Sequence, residues 1–321
     1  MSSGGEVAEH VKSAAQDLPP AQSYPWLLIS DGKQCEKHYF FSVTENQCYK
    51  REICWLRNQI IFCSSHGWIV SQDKDTKICY LSNPVSTQSL ELPPCSKSIR
   101  RVFLSKSPGD PDCFIFIFGY DQGNIEFCKL GDQKFVEQNT TLGDRHLSEL
   151  IVFKGKIYGL MSCFRCFALV TVDIVGSTLQ IKPLIKDGLP FQIRCPLPPE
   201  NNAYDTYMIN SHDGEEVLFV FKIYSASLDY QVSEFKVFRL DFDNMISEEL
   251  EDIGGERAIF VCHFYGMPCS RSEPGIKANS IYYVEGNDNR LYVHNLENKS
   301  RLLKLPCPIA THDAWLSWVM I

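Results

Sequence analysis

The sequence predicts an all-β protein that forms a single β-propeller of six blades, with seven blades as the alternative. Three observations support this prediction. A unit of strand, polar turn, strand and shorter polar strand recurs six times along the chain. The units average about 50 residues, which is typical of propeller blades. A short aromatic-rich strand lies near each end of the ring, and helical periodicity is confined to the N-terminus.

The six units are recognised by their hairpins rather than by equal spacing. Each contains a nearly continuous apolar run, which is typical of a strand buried on both faces, and then an alternating strand with one wetter face. The apolar runs are HYFFSV, GWIVSQ, CFIFIFGY, GKIYGLMS, EVLFVFKI and NSIYYVEG. We therefore expect these runs to be the inner strands beside the central channel. Turns rich in Asp, Gly and Asn, such as 121–124 and 285–289, favour tight hairpins.

Four-stranded units could also form a sandwich or a barrel. Sandwich domains usually end near about 100 residues, so the length covered by six units favours the propeller. The aromatic runs 23–30 and 314–321 should meet and close the ring, with Trp26, Trp315 and Trp318 buried at the seam. We assign 23–321 to the propeller. Residues 1–22 are expected to be a disordered or weakly helical tail, because a helix over EVAEHVKSAAQ would be too short to be stable alone.

Composition restricts the classes of partner. The chain has 321 residues, of which 44% are hydrophobic, and a net charge of −8. It lacks the basic footprint with which nucleic-acid binders displace counterions, so we expect no nucleic-acid partner. Without a secretory signal or an apolar run of the ~20 residues that cross a bilayer, we expect a soluble protein of the cytoplasm or nucleus without a membrane partner. The 14 cysteines should then be free thiols.

Sequence motifs for catalysis are lacking: there is no phosphate-binding glycine loop, no H-E-x-x-H helix and no nucleophile elbow. We therefore expect no enzyme activity, no cofactor and no metal. Cys163 and Cys166 have zinc-knuckle spacing and could be joined by Cys262 and His263 or by Cys195, but structural zinc sites usually contain two such pairs. The alternative is a propeller-fold hydrolase with acids in the central channel, yet the segments expected to be inner strands, GWIV, CFIFIF, KIYGLM, VLFVF and IYYV, carry no carboxylate.

Two long connections are candidates for contact with a partner protein. The stretch 264–279 contains Tyr265, Met267, Arg271 and Lys277 together with two prolines. Tyr and Arg concentrate binding energy at interfaces, and long loops without their own structure are often functional. We therefore predict a partner-binding loop at these four residues. The stretch 194–210 is a second candidate, and flexible connections without a function are the alternative for both.

Three motifs give the chain a resemblance to a known family. The first is Ser64-Ser65-His66-Gly67-Trp68-Ile69-Val70, followed by Leu81-Ser82-Asn83-Pro84 and Leu90-Glu91-Leu92-Pro93. The second is IGGERAIFV at 253–261, and the third is GIKANSIYY at 275–283. In this order they resemble the plant F-box-associated β-propellers, the kelch-like KIB-type group, from about residue 24 to the C-terminus.

The resemblance implies a protein-recognition propeller, in many members the substrate-receiving part of a Skp–cullin–F-box ubiquitin ligase. In those members a helical F-box precedes the propeller and binds the Skp-type adaptor, whereas only 22 residues precede the first strand predicted here. We therefore expect a form without the F-box, in which adaptor binding is weakened or lost. The expected function is non-catalytic binding of a protein on one propeller face, as a substrate receptor, a decoy or a scaffold.

Overall fold

The computed structural model describes residues 18–121, 123–163, 166–194, 196, 203–211, 213–225, 231–254, 256–271, 275–285, 290–304 and 314–321. The side chains of 268–271 and 304 lie outside this description. The described chain is built of β-strands and one 3-10 turn at Cys54–Leu56. It includes no helix of the length and apolar character needed to cross a membrane. Residues 1–17 of the predicted tail lie outside the described ranges, and Leu18 packs against the propeller.

The strands follow in chain order. The first eleven are β1 (Trp26–Asp31), β2 (Lys37–Ser42), β3 (Gln47–Arg51), β4 (Gln59–Ser65), β5 (Trp68–Asp73), β6 (Cys79–Ser82), β7 (Ser89–Glu91), β8 (Ile99–Leu104), β9 (Phe114–Gly119), β10 (Asn124–Lys129) and β11 (Val136–Asn139). The next seven are β12 (His146–Phe153), β13 (Lys156–Ser162), β14 (Cys166–Val175), β15 (Thr178–Pro183), β16 (Ile185–Lys186), β17 (Leu189–Pro190) and β18 (Gln192–Arg194). The last ten are β19 (Tyr204–Asn210), β20 (Val217–Tyr224), β21 (Val232–Asp241), β22 (Ile246–Leu250), β23 (Arg257–Val261), β24 (Gly266–Arg271), β25 (Ser280–Glu285), β26 (Arg290–Asn295), β27 (Arg301–Lys304) and β28 (Trp315–Val319).

Six sheets form the blades, which confirms the predicted six-bladed propeller. Listed from the innermost strand outward, blade 1 is β28-β1-β2-β3, blade 2 is β4-β5-β6-β7 and blade 3 is β8-β9-β10-β11. Blade 4 is β12-β13-β14-β15, with β18 also paired to β14, blade 5 is β19-β20-β21-β22 and blade 6 is β24-β23-β25-β26-β27. The strands β16 and β17 form a separate small hairpin.

Six apolar clusters hold the blades together, one at each junction around the ring. Each cluster combines buried side chains of two successive blades, because both faces of every blade pack against a neighbour. Examples are Phe40 with Ile69, Leu81 with Ile115, Phe127 with Val170, Leu169 with Phe219, Val220 with Ile281, and Phe260 with Phe41. The core is therefore a ring of inter-blade layers rather than one central mass.

The chain ends close the ring as predicted. The strand β1 lies between β2 and β28, and its Leu27 is paired with Trp318 near the C-terminus. Trp26 and Trp318 are fully buried at this seam. Trp315 is 37% exposed, so the prediction that all three tryptophans are buried is wrong for this residue, which lies at the first position of β28.

The innermost strands are not the ones that the sequence pattern predicted. The nearly continuous apolar runs form the second or third strand of each blade, and the channel is lined instead by β28, β4, β8, β12, β19 and β24. Several of these carry charged residues, such as Glu149 on β12 and Asp205 on β19. The expectation that the inner strands contain no carboxylate is therefore wrong.

Much of the two predicted loops is strand. Residues 266–271 form β24, because the segment pairs antiparallel with β23 and becomes the innermost strand of blade 6. The strand β23 pairs in parallel with β25, so blade 6 has five strands rather than four. The second candidate stretch ends in β19, and residues 195 and 197–202 of it lie outside the described residues.

The family-like motifs hold turns in place. Gly275 has φ +96°, and a Cβ there would lie 2.9 Å from the backbone of Thr44. Asn279 is buried with φ 50°, and its amide group accepts a hydrogen bond from the Ile253 amide and donates one to the Glu251 carbonyl. Glycine and asparagine are the residues that adopt this left-handed conformation at low cost. These motif residues therefore specify the backbone rather than a partner.

Candidate functional site in the central channel

Contacts between inner strands define the two ends of the channel. Arg101 of β8 reaches Glu149 of β12 and the Thr206 carbonyl of β19, so these three residues lie at one level. Residues that precede them on each strand lie towards one end, and those that follow lie towards the other. We call these the polar end, where the inner strands begin, and the apolar end, where they finish.

Three successive inner strands, those of blades 2, 3 and 4, carry β-bulges, and the pairing of β24 with β23 in blade 6 also has a register shift. The registers slip at Phe62 on β4, at Arg100 on β8 and at Ser148 on β12, so each of these residues is the extra one in its strand. A bulge bends a strand and re-aims its side chains, and bulges are frequent beside functional sites. The channel wall of blades 2, 3 and 4 is thus locally irregular where it faces the centre.

The turn between β23 and β24, residues 262–265, crosses into the channel, and we call it the channel turn. The Phe264 ring lies 4.8 Å from that of Phe62 in blade 2 and 6.3 Å from that of Trp315 in blade 1. Tyr265 packs against the clusters at three junctions, those of blades 6 and 1, 1 and 2, and 2 and 3. The channel turn therefore joins blade 6 to blades 1 and 2 across the centre of the molecule.

Hydrogen bonds fix the channel turn. The Tyr265 hydroxyl donates to the Trp318 carbonyl, and the Trp318 indole N–H donates to the Val261 carbonyl at 3.1 Å. Within the turn, the Cys262 amide donates to the Tyr265 carbonyl at 3.0 Å. Burial raises the pKa of Tyr265 well above its ordinary value, so the hydroxyl stays protonated and can donate at neutral pH. The turn is therefore a fixed part of the channel.

A buried ion pair joins the opposite side of the channel. Nη1 of Arg101 lies 2.9 Å from Oε2 of Glu149, and both side chains are about nine-tenths buried. Oε1 of Glu149 accepts a hydrogen bond from the Met208 amide at 2.8 Å, and the Arg101 guanidinium lies over the Tyr207 ring at 5.4 Å. Burial raises the pKa of Glu149, and the charge of Arg101 opposes that rise. The pair thus links blades 3, 4 and 5.

The apolar end contains an open cavity of about 520 Å³. Its walls come from the inner strands of blades 2 to 6 and from the C-terminal Met320, and apolar side chains predominate. Three of the six methionines of the chain line it, at Met208, Met267 and Met320. The polar lining groups include His66 in the turn between β4 and β5 and the buried Arg101–Glu149 pair. A concave apolar surface with a few polar groups is the usual form of a binding pocket.

The four predicted contact residues all lie towards the apolar end. Tyr265 and Met267 line the cavity, and Met267 is buried. Arg271 ends β24 opposite Arg257, and its side chain lies outside the described part of the structure. Lys277 is exposed beyond β24, away from the cavity lining. The structure therefore brings Tyr265 and Met267 together in one pocket and leaves Lys277 on the surface outside it.

Other predicted positions are not brought together. Sγ of Cys163 lies 3.0 Å from Sγ of Cys166 in blade 4, whereas Cys262 and His263 belong to the channel turn of blade 6. Cys195 lies outside the described residues. Among the described residues no group of three or more His, Cys, Asp or Glu has a metal-binding arrangement.

The sequence pattern did not identify Arg101, Glu149 and Asp205 as residues of the channel. Each lies in a run that precedes an apolar hairpin, namely IRRVFL, HLSELIVF and YDTYMIN. The signal that could have found them is the regular position of these mixed runs, one strand before each recognised unit. The sequence pattern did not identify these runs as inner strands, because they contain charged residues and an inner strand is expected to be apolar.

Comparisons with solved structures give matches that cover most of this chain but have low sequence identity. The chain is similar to a chain in "Crystal structure of Nidogen/Laminin Complex", with 12% identity, a TM-score of 0.45 and coverage of 87% of this chain and 92% of the other. It is similar to TolB from Acinetobacter baumannii, with 14% identity, a TM-score of 0.48 and coverage of 98% and 71%. It is also similar to KlHsv2 with loop 6CD replaced by a Gly-Ser linker, with 11% identity, a TM-score of 0.41 and coverage of 89% of this chain and 83% of the other. These likenesses are too weak to bear on function.

A search of the curated proteins gives no match. The family comparison is more informative, because the model of the KIB1-4 beta-propeller matches residues 40–301. This match extends from blade 1 to the last strand of blade 6 and includes all three motifs that carry the resemblance. The chain therefore belongs to the KIB1-4 beta-propeller family.

Proposed function

We propose that this chain is a non-catalytic protein-recognition module and that a partner inserts an apolar side chain into the cavity at the apolar end. The observation that carries the proposal is the methionine lining of the cavity. Methionine is flexible and polarisable, so it adapts to different apolar groups and is over-represented on surfaces that bind several partners. Binding energy at interfaces concentrates where one large side chain enters a desolvated pocket.

The surroundings of the cavity fit the same role. Tyr265 and Met267 lie in the cavity, and Lys277 is exposed on the same side of the ring. The channel turn provides a rigid floor, because the Tyr265 hydroxyl donates to the Trp318 carbonyl and the Trp318 indole donates in turn to the Val261 carbonyl. A rigid pocket lowers the entropy lost on binding, which favours affinity. The outer rim remains available for polar contacts that set specificity.

The test compares two valine substitutions on blade 4. Val152→Trp fills the cavity from β12, whereas Val175→Trp places the same ring at a 52% exposed position at the end of β14. Both variants and the wild-type chain would be used for affinity isolation from native cells, with quantitative mass spectrometry of the bound proteins. The proposal predicts that partners retained by V175W are lost from V152W. Equal recovery with both variants, at equal thermal stability, would contradict it.

We further propose that the bound partner is a substrate of a Skp–cullin–F-box type ubiquitin ligase. Support comes from membership of the KIB1-4 family together with the motif resemblance to F-box-associated propellers. The alternative is a decoy or scaffold that binds the same partners without ligase components. Recovery of a Skp-type adaptor and a cullin in the same isolation would favour the ligase role. Recovery of partners alone would favour the decoy or scaffold.

A propeller-fold hydrolase is the second candidate, because Glu149 and Asp205 are carboxylates on adjacent inner strands. A glycosidase needs one carboxyl group as acid and another as base or nucleophile. Here Glu149 is engaged by Arg101 and the Met208 amide, and Asp205 accepts the Tyr224 hydroxyl, so both have structural partners. We therefore favour binding. Turnover of chromogenic glycosides or lactones that is abolished by Asp205→Asn would reverse this preference.

A further inference from the structure

The polar end of the channel contains a positive charge without a local partner. Arg100 is half-buried at the bulge of β8, and among the described residues its guanidinium has neither a hydrogen bond nor an ion pair. Removing a charge from water is costly unless another group compensates it. A half-buried arginine without a partner is therefore unusual enough to require an explanation.

The neighbouring charged groups have other contacts in the structure. Arg101 is matched by Glu149 at 2.9 Å. Lys222 is buried opposite Asp205 in the register of β19 and β20, and its ammonium group donates to the Val284 carbonyl. Asp205 accepts a hydrogen bond from the Tyr224 hydroxyl, and among the described residues it forms no ion pair with Lys222 or Arg100. Among these five groups, the three cations therefore exceed the two carboxylates by one charge. Burial is the main cause that lowers the pKa of Arg100, and repulsion by Arg101 lowers it further. The charges of Asp205 and Glu149 oppose this effect.

Further hydrogen-bond donors lie at the same level. His146 is the half-buried first residue of β12, and the charge of Arg100 acts on it. His263 is exposed in the channel turn, and the charges of Asp205 and Arg100 act on it as well. Imidazole can donate an N–H to an anion whether it is neutral or charged. The polar end therefore combines a guanidinium that forms no ion pair among the described residues with two imidazoles.

We propose that the polar end of the channel binds an oxyanion, a carboxylate or phosphate group carried by a ligand, with Arg100 as its principal contact. The planar guanidinium can hold two oxygens of either group at once, which a lysine cannot do. His146 and His263 supply further N–H donors. The bulge contributes to this site because it changes the direction of the Arg100 side chain from the one that regular alternation along β8 would give.

The test uses inorganic phosphate and succinate as probes, titrated separately into the full chain at constant ionic strength. Arg100→Gln removes the proposed contact, and Arg194→Gln makes the same charge change at an exposed position on β18. Calorimetric titration should give saturable binding of at least one probe to wild type and R194Q. Affinity should fall at least tenfold in R100Q. Binding of both probes indicates a general oxyanion site, and binding of one identifies the group.

Two outcomes would overturn the site: no saturable binding of either probe to wild type, or equal binding to wild type and a folded R100Q. If R100Q does not fold, the wild-type chain still provides a test. Phenylglyoxal should modify Arg100 and Arg194 in the absence of anion. A binding probe should protect Arg100 alone, as read by peptide mass spectrometry, and equal modification of Arg100 with and without anion would also reject the proposal.

Discussion

The two halves of the channel wall are held together by different interactions. Blades 3, 4 and 5 are joined by the buried Arg101–Glu149 pair and its hydrogen bonds to β19. Blades 6, 1 and 2 are joined by the aromatic side chains of the channel turn. A buried ion pair requires both partners, because either one alone is a buried unpaired charge. Aromatic packing is non-directional, so it weakens gradually as contacts are removed.

The two halves also contribute differently to the ends of the channel, although Arg101 and Glu149 of the charged half line part of the apolar cavity. The charged half extends to Arg100 and Asp205 at the polar end, whereas the aromatic half provides Tyr265 to the floor of the apolar cavity. The same wall thus offers a polar opening and an apolar one. Removal of one interaction at a time should separate the contributions of the two halves to stability.

The largest effect is expected from breaking the ion pair on one side only. Glu149→Gln leaves the Arg101 charge buried, which should lower the free energy of unfolding by about 3–5 kcal/mol. The double variant Arg101→Met with Glu149→Leu removes both charges at similar volume and should recover much of that loss. Chemical denaturation of the three chains measures these differences. A double variant no more stable than E149Q would show that the pair is not the source of the stability.

A smaller loss is expected in the aromatic half. Phe264→Ala removes the contacts with Phe62 and Trp315 and should cost about 3 kcal/mol, the lower end of the range for buried phenylalanine, because the ring lies beside an open cavity. Tyr120→Ala removes a 58% exposed aromatic ring and is the matched control, with an expected change within about 0.5 kcal/mol. Denaturant melts would contradict this account if both variants lost the same amount.

The hydrogen bonds of the channel turn should contribute less than its packing. Tyr265→Phe keeps the ring and removes the donor to the Trp318 carbonyl, so the expected loss is about 1 kcal/mol. Tyr120→Phe makes the same change at an exposed tyrosine and should have no measurable effect. Thermal unfolding monitored by tryptophan fluorescence can resolve both. A loss as large as that of F264A would mean that the turn is held mainly by this hydrogen bond.

Acidification is expected to have the smallest effect, and it should lower the stability of both halves of the channel wall. Burial lowers the pKa of fully buried His38 in blade 1 and of half-buried His146 in blade 4. Because the folded pKa lies below the unfolded value of about 6.5, each residue contributes stability that is present above that pH and is lost as the pH falls through the folded pKa. Unfolding free energies measured from pH 8 to 5 should decline, with a shallower slope in His38→Gln than in His146→Gln. Slopes equal to wild type in both variants would exclude this role.

The fold was predictable from sequence because hairpins leave a local signal. Alternating apolar residues and turn residues recur in all six blades, and the aromatic ends pair in the sheet of β1 and β28. Membership of the KIB1-4 family confirms the part of the motif resemblance that concerns the propeller. The motif residues Gly275 and Asn279 were readable because their backbone conformations demand those residue types.

The channel was harder to predict, because its residues are paired through the ring and not along the chain. Arg101 and Glu149 are 48 positions apart and become neighbours only when blades 3 and 4 pack together. Tyr265 and Met267 were selected for their residue types, but nothing local indicated that they belong to the channel turn and β24 rather than to a surface loop. Residues that break the expected apolar pattern, such as Arg101 and Glu149, thus mark strands that line the channel.

The central claim is that a partner protein binds over the apolar cavity, and site-specific photocrosslinking tests it most directly. A benzoylphenylalanine at Met320, which lines the cavity, would be compared with one at Leu302, which is 42% exposed on the outer strand of blade 6. After irradiation in native cells, the account predicts discrete crosslinked partners from position 320 that are lost when Val152→Trp is added. Crosslinks from position 302 alone, or crosslinks from 320 that persist in that variant, would contradict it.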